Sequence, residues 1–99
     1  MRIVLTAAAQ SDLRAIGGHI SRDNPAGAVR FIRELRGAAT PLSDMARAFP
    51  LVPRYAHLDI RRRPFGDYLI FYRIEDNRLA ILHIVHGARD YEALLFPDA

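Results

Sequence analysis

Residues 68–95 read YLIFYRIEDNRLAILHIVHGARDYEALL. Two strand-like runs, residues 68–74 and 79–85, flank the polar turn Glu75-Asp76-Asn77-Arg78. Along the first run Tyr68, Ile70, Tyr72 and Ile74 share one face, and Leu69, Phe71 and Arg73 share the other, because side chains alternate along a strand. The second run is apolar on both faces except at His83, which predicts a central strand buried from both sides. Asp76 and Asn77 both tolerate positive φ, so they suit a tight hairpin. His86-Gly87-Ala88-Arg89-Asp90 then sets polar groups at a strand exit. A short tail helix is expected after it, with Tyr91, Leu94, Leu95 and Phe96 on its apolar side.

The chain before this stretch is helical. Arg2–Leu5 suits a short strand, and Thr6 can cap a helix by accepting a backbone N–H bond. Ala9, Leu13, Ile16 and Ile20 form one helical stripe. Gly17-Gly18 is expected to interrupt it or to admit another backbone, since each glycine costs about 1 kcal/mol against alanine inside a helix. Asn24-Pro25 ends this helix and begins the next, with Asn24 as cap and Pro25 at the first helical position. Ala28, Phe31, Ile32, Leu35, Ala38, Ala39 and Leu42 give the clearest helical period, and Met45 and Phe49 extend it beyond a kink or restart at Thr40-Pro41. Residues 50–57 (PLVPRYAH) cross irregularly. Leu58, Ile60 and Arg62 alternate as a strand, and Pro64-Phe65-Gly66-Asp67 turns the chain.

The expected fold is α+β: a small, mostly antiparallel sheet in the order β-α-α-β-β-β, an N-terminal helical hairpin on one face, and a short C-terminal helix. A helical hairpin covers only one face. The side chains of residues 68–74 are largely apolar on both faces, so an exposed apolar face suited to a partner is expected. Tyr68 and Tyr72 are expected to pack under the helices with their hydroxyls at the rim.

The 99 residues make one domain, 1–99. A composition of 51% hydrophobic and 25% charged residues supports a folded core. No apolar run reaches the ~18 residues of a membrane helix, and the N-terminus is too short for a signal-peptide core, so a cytoplasmic protein is expected. With no cysteine, thiol catalysis and cysteine-based zinc sites are excluded. All 14 basic residues are Arg. Residues 1–49 hold seven Arg against four acids, and residues 50–99 hold seven against seven, so the excess charge sits on the helical half. Only Arg61-Arg62-Arg63 forms a basic run, where a dedicated nucleic-acid binder usually shows a concentrated stripe.

Several strings occur together in order: Leu5-Thr6-Ala7-Ala8-Ala9, Asp12-Leu13, Asp23-Asn24-Pro25, Phe49-Pro50, Tyr68-Leu69-Ile70-Phe71-Tyr72-Arg73 and His86-Gly87-Ala88-Arg89-Asp90. In this set the chain resembles the RelE/ParE superfamily of bacterial toxins, and the ParE-like branch in particular. The resemblance implies a toxin of a type II toxin–antitoxin pair. ParE-like members inhibit DNA gyrase by binding. RelE-like members cleave messenger RNA in the ribosome. Both are neutralised by a cognate antitoxin whose C-terminal segment wraps the toxin, here expected to be ParD-like with a ribbon-helix-helix fold. RelE-like nucleases carry an Arg at the position of Leu69, a basic residue near Ala88 and a Tyr near Leu94. Metal-free RNA cleavage needs a proton acceptor and cations that stabilise the phosphorane, and Leu, Ala and Leu supply neither.

No catalytic residue, cofactor or metal site is therefore expected, and nucleic acid is met only indirectly. His83 and His86, three apart on a strand, are expected on opposite faces; His83 is half-buried and hydrogen-bonded. The expected target or antitoxin contacts are Leu69, Phe71, Arg73, His86, Arg89 and Tyr91. Arg89 with Asp90 also suits a local ion pair. Arg61, Arg62 and Arg63 suit an edge strand, where charge discourages aggregation, or contact with a phosphate or acidic partner. The alternatives are a ribosome-dependent endoribonuclease using His86, Arg89, Arg73 and Glu75, and an inactive relative that serves as a protein-binding module.

Overall fold

The computed structural model describes residues 1–87 and Tyr91. The chain runs β1 (Arg2–Leu5), α1 (Ala7–Asp23), α2 (Pro25–Ala39), short 3-10 helices over Thr40–Ser43 and Pro53–Leu58, then β2 (Arg61–Phe65), β3 (Tyr68–Glu75) and β4 (Arg78–His86). The α+β class and the β-α-α-β-β-β order are as expected; the expected tail helix lies outside the described residues. The sheet order is β1-β4-β3-β2. Its β2–β3 and β3–β4 pairs are antiparallel and β1 runs parallel to β4, so the sheet is mixed. β4 is central, as its two-sided apolar pattern requires.

Local chemistry sets the helix ends. The Thr6 hydroxyl accepts the Ala9 N–H at 3.1 Å. The Asn24 side-chain oxygen accepts the Gly27 N–H at 2.9 Å, and Pro25 opens α2 where its missing N–H leaves no donor unpaired. Gly17-Gly18 does not interrupt α1, which is continuous from Ala7 to Asp23. Packing of Ala9, Leu13 and Ile16 on the sheet offsets the local glycine penalty. Among the described residues no other backbone approaches the pair either, since a Cβ at either position would meet nothing within 4 Å.

The two hairpins use the same device. Gly66 at φ 55 and Asp76 at φ 51 occupy the first central position of their two-residue turns. The first turn is thus only Gly66-Asp67, and Pro64 and Phe65, expected in it, belong to β2. Proline is tolerated there because β2 is an edge strand. Leu58 and Ile60 are not strand residues: Leu58 closes the second 3-10 helix, and Asp59 turns the chain at φ 58. Met45 is not on the helical stripe; it is 46% exposed, and the buried residue beyond the first 3-10 helix is Ala46.

The helices cover one face of the sheet. Leu35, Ala39 and Leu42 meet Ile70, Tyr72, Ile81 and Ile84, flanked by Leu13, Ile16 and Phe31. Burying one such aliphatic side chain stabilises the fold by about 1.5–3 kcal/mol. The expected open apolar face is not open. Val52, Tyr55 and Ile60 form a second cluster with Phe71 and Val85, and Leu58, Leu69, Leu82 and Tyr91 pack on it. The irregular crossing between α2 and β2 supplies this cover.

Candidate partner-binding surfaces

The strand exit, the second sheet face and the arginine run carry the expected contacts, and the structure distributes them over separate places. Phe71 is 0% exposed, with its ring 4.9 Å from that of Tyr91. Leu69 opposes Val85 in the ladder and packs on the same cluster. Arg73 donates from Nε to Glu75 at 2.8 Å on its own strand, forming an ion pair there. His86 lies elsewhere. It opposes Tyr68, and its ring stands edge-on to that tyrosine at 5.4 Å. Tyr68 in turn packs edge-on against Phe31 of α2, so His86 sits on the helix side of the sheet. Arg89 lies outside the described residues.

The ladder carries one bulge. Phe71 pairs with His83 but Tyr72 pairs with Ile81, leaving Leu82 as an extra residue on β4. The bulge lies before both histidines: from His83 to His86 β4 stays in register with β3, which keeps the alternation expected for the pair, and His83 Nδ1 reaches Asp12 of α1 at 3.1 Å. His83 is half-buried and hydrogen-bonded, as expected. No group of three or more potential metal ligands occurs among the described residues.

Asp12 is the residue the sequence reading undervalued. β1 has 4 residues and β4 has 9, so the edge of β4 outruns its partner. Asp12 Oδ2 accepts the Ile84 N–H at 3.0 Å beyond that point. Thr6 ties the same edge by donating from its hydroxyl to the Ile81 and Leu82 carbonyls at 3.1 and 3.0 Å. The signal was present as a short acidic residue within the first helix, but its target, 72 residues away, was not.

The arginine run lies on the edge strand and alternates across it. Arg63 donates from Nε to the Ala38 carbonyl at 2.9 Å, in the last turn of α2, where carbonyls lack helical partners and cations are favoured. Its guanidinium also lies 5.0 Å from the Phe49 ring centroid. Arg61 donates to the Phe49 carbonyl at 2.7 Å, although its buried Nε has no partner among the described residues. Arg62 donates to the Tyr91 hydroxyl at 2.7 Å. All three guanidinium groups therefore hold parts of this chain together. Between them, Tyr72 is buried, not at the rim, and donates to the Ala46 carbonyl at 2.7 Å. Burial raises the pKa of its phenol, opposed by the Arg61 and Arg63 charges and the Phe49 backbone.

Among the described residues, none of these places assembles a proton acceptor with unengaged cations. Among the described residues, no helix is long and apolar enough to cross a membrane. The chain is similar to a solved structure described as the chromosomal ParDE TA system from P. aeruginosa, with a TM-score of 0.73 and 22% identity over 87% of this chain and 95% of that one. No curated protein matches it. The sequence family described as ParE toxin of type II toxin-antitoxin system, parDE, matches residues 3–91. With that match spanning most of the sequence, the chain belongs to the ParE toxin family of type II toxin–antitoxin systems.

Proposed function

We propose that this chain is a toxin that acts in the cytoplasm by binding DNA gyrase, without catalysis, and that a cognate ParD-like antitoxin neutralises it. The observation that carries this reading is the chemistry of the second sheet face. At Leu69, where RelE-like nucleases carry an Arg, the side chain packs on the cluster of Val52, Tyr55, Ile60, Phe71 and Val85. A 2′-hydroxyl brought there would find no base within the cluster. The arginines that could stabilise a phosphorane are engaged with Phe49, Ala38 and Tyr91. An apolar, buried cluster at this position supports action by binding over catalysis. The similarity to a ParDE system supports pairing with an antitoxin.

The test is to express the toxin and follow growth and transcripts together. Growth stops while primer extension across translated messages shows no codon-positioned cuts. Such cuts would overturn the gyrase reading in favour of a ribosome-dependent nuclease, and unchanged growth would point to an inactive relative.

A further inference from the structure

Between α1, α2 and β1 the helix layer leaves a cavity of ≈ 230 Å³. Its floor is Ile81 and Ile84 of β4, both buried. Leu5, Leu13 and Leu35 form its sides, one from each covering element. Ala39, a small residue on the same wall, leaves the space unfilled. Of the lining residues only Arg36 and Thr40 are polar, and both are exposed, so they mark the mouth.

The fold does not use the Arg36 guanidinium. It makes no hydrogen bond or ion pair among the described residues, in contrast to the arginines of β2. A cation near a helix C-terminus often serves the last carbonyls, but two of those in α2 are already taken. Thr40 donates to the Arg36 carbonyl from its backbone N–H and, at 2.8 Å, from its hydroxyl. Arg63 donates to the Ala38 carbonyl. No acidic residue lines the cavity. An apolar hole therefore opens beside one cation that the chain itself leaves unpaired.

We propose that this cavity binds a small amphiphilic monoanion, a carboxylate whose apolar body fills the space over Ile81 and Ile84 while its oxygens pair with Arg36. A dry apolar cavity of about 150 Å³ takes benzene, so the larger space here holds roughly eight to ten carbon-sized groups. The planar donor fork of Arg matches a carboxylate. The Thr40 hydroxyl gives its proton to the Arg36 carbonyl, so selection of the anion rests on Arg36. A phosphate ester would bring up to two charges to a single cation, which disfavours it. A neutral molecule would leave Arg36 unused. A bound carboxylate joins α1, α2 and β1 to β4, so the folded state gains stability as its concentration rises. The inference goes beyond the toxin reading and does not depend on it.

The experiment titrates the isotopically labelled full chain at neutral pH with octanoate, octanamide and octylammonium, and then with butanoate and dodecanoate, all below their micelle concentrations. Octanoate shifts the methyl signals of Leu13, Leu35, Ile81 and Ile84 and raises the melting temperature. It binds about tenfold more tightly than octanamide, and octylammonium binds most weakly. Affinity rises about fourfold per methylene from butanoate and levels off before dodecanoate, when the cavity is full. Arg36→Gln removes the preference for octanoate over octanamide, and Arg36→Glu makes octylammonium the best ligand. Ala39→Leu fills the space and abolishes binding of all three. Because Arg36 is exposed, its variants fold and decide the question even if Ala39→Leu does not fold. Equal binding of octanoate and octanamide to the native chain would suit the cavity to any apolar group, a partner's side chain included, and would overturn the proposal. So would affinity that keeps climbing through dodecanoate, shifts centred on Val52, Tyr55 and Ile60, or no binding at millimolar octanoate. None of these readouts involves growth or gyrase, so failure here and failure of the toxin reading give different results.

Discussion

The two faces of the sheet are both closed, but by different means. The helix face is closed by α1 and α2, whose periodic stripes meet Ile70, Tyr72, Ile81 and Ile84. The other face is closed by an irregular crossing with a 3-10 helix, which brings Val52, Tyr55 and Ile60 onto Phe71 and Val85. An apolar strand face therefore does not by itself announce a partner. The chain's own loop can cover it.

The largest test of this contrast is Phe71. As an exposed contact it would lose only partner affinity on truncation. As a core residue, Phe71→Ala lowers unfolding free energy by about 3–5 kcal/mol, and Phe71→Asp abolishes the fold because a buried unpaired carboxylate is not tolerated. Urea denaturation of the isolated toxin measures this, and native stability in Phe71→Ala would reopen the face. Asp12→Ala comes next. Removing the acceptor of the Ile84 N–H and the partner of His83 costs about 1–3 kcal/mol. Amide exchange at Ile84 rises more than at Ile70, a check that the carboxylate protects the edge of β4.

Tyr72→Phe is smaller, about 1 kcal/mol near neutrality, for the hydrogen bond to Ala46. Its pH dependence is more informative. Burial raises the folded-state pKa of Tyr72 above the ordinary value of 10.0. The folded state then holds the phenolic proton more tightly than the unfolded state. The stabilising contribution is complete below the unfolded pKa and is lost as pH rises from there through the folded pKa. Alkaline denaturation curves of the native protein and Tyr72→Phe should therefore converge above that range; parallel curves would place the hydroxyl in solvent. The smallest effect is Gly17→Ala, which gains up to about 1 kcal/mol because the space beside it is empty. A loss instead would mean that the helix layer is tighter than the structure indicates.

Much of the fold was readable because it rests on local signals. Thr6, Asn24 and Pro25 mark helix ends within a few residues of what they bond. The strand at 68–75 alternates in sequence as it does in space. The errors fall where a distant group decides. Nothing near His83 in sequence reveals Asp12 as its partner. Residues 50–60 have no period, so Tyr55 and Ile60 gave no sign of which face they close. Arg61, Arg62 and Arg63 looked like one basic run, but strand alternation and three separate acceptors divide them. The family resemblance was carried by ordered strings rather than by any single site, and for that reason it identified the toxin family without settling its contacts.

The proposed mode of action stands or falls on a titration of purified DNA gyrase with the purified toxin, followed as supercoiling of relaxed plasmid. Supercoiling declines in proportion to added toxin, stops at a fixed molar ratio and returns when antitoxin is added. Full supercoiling at a large excess of folded toxin would contradict it.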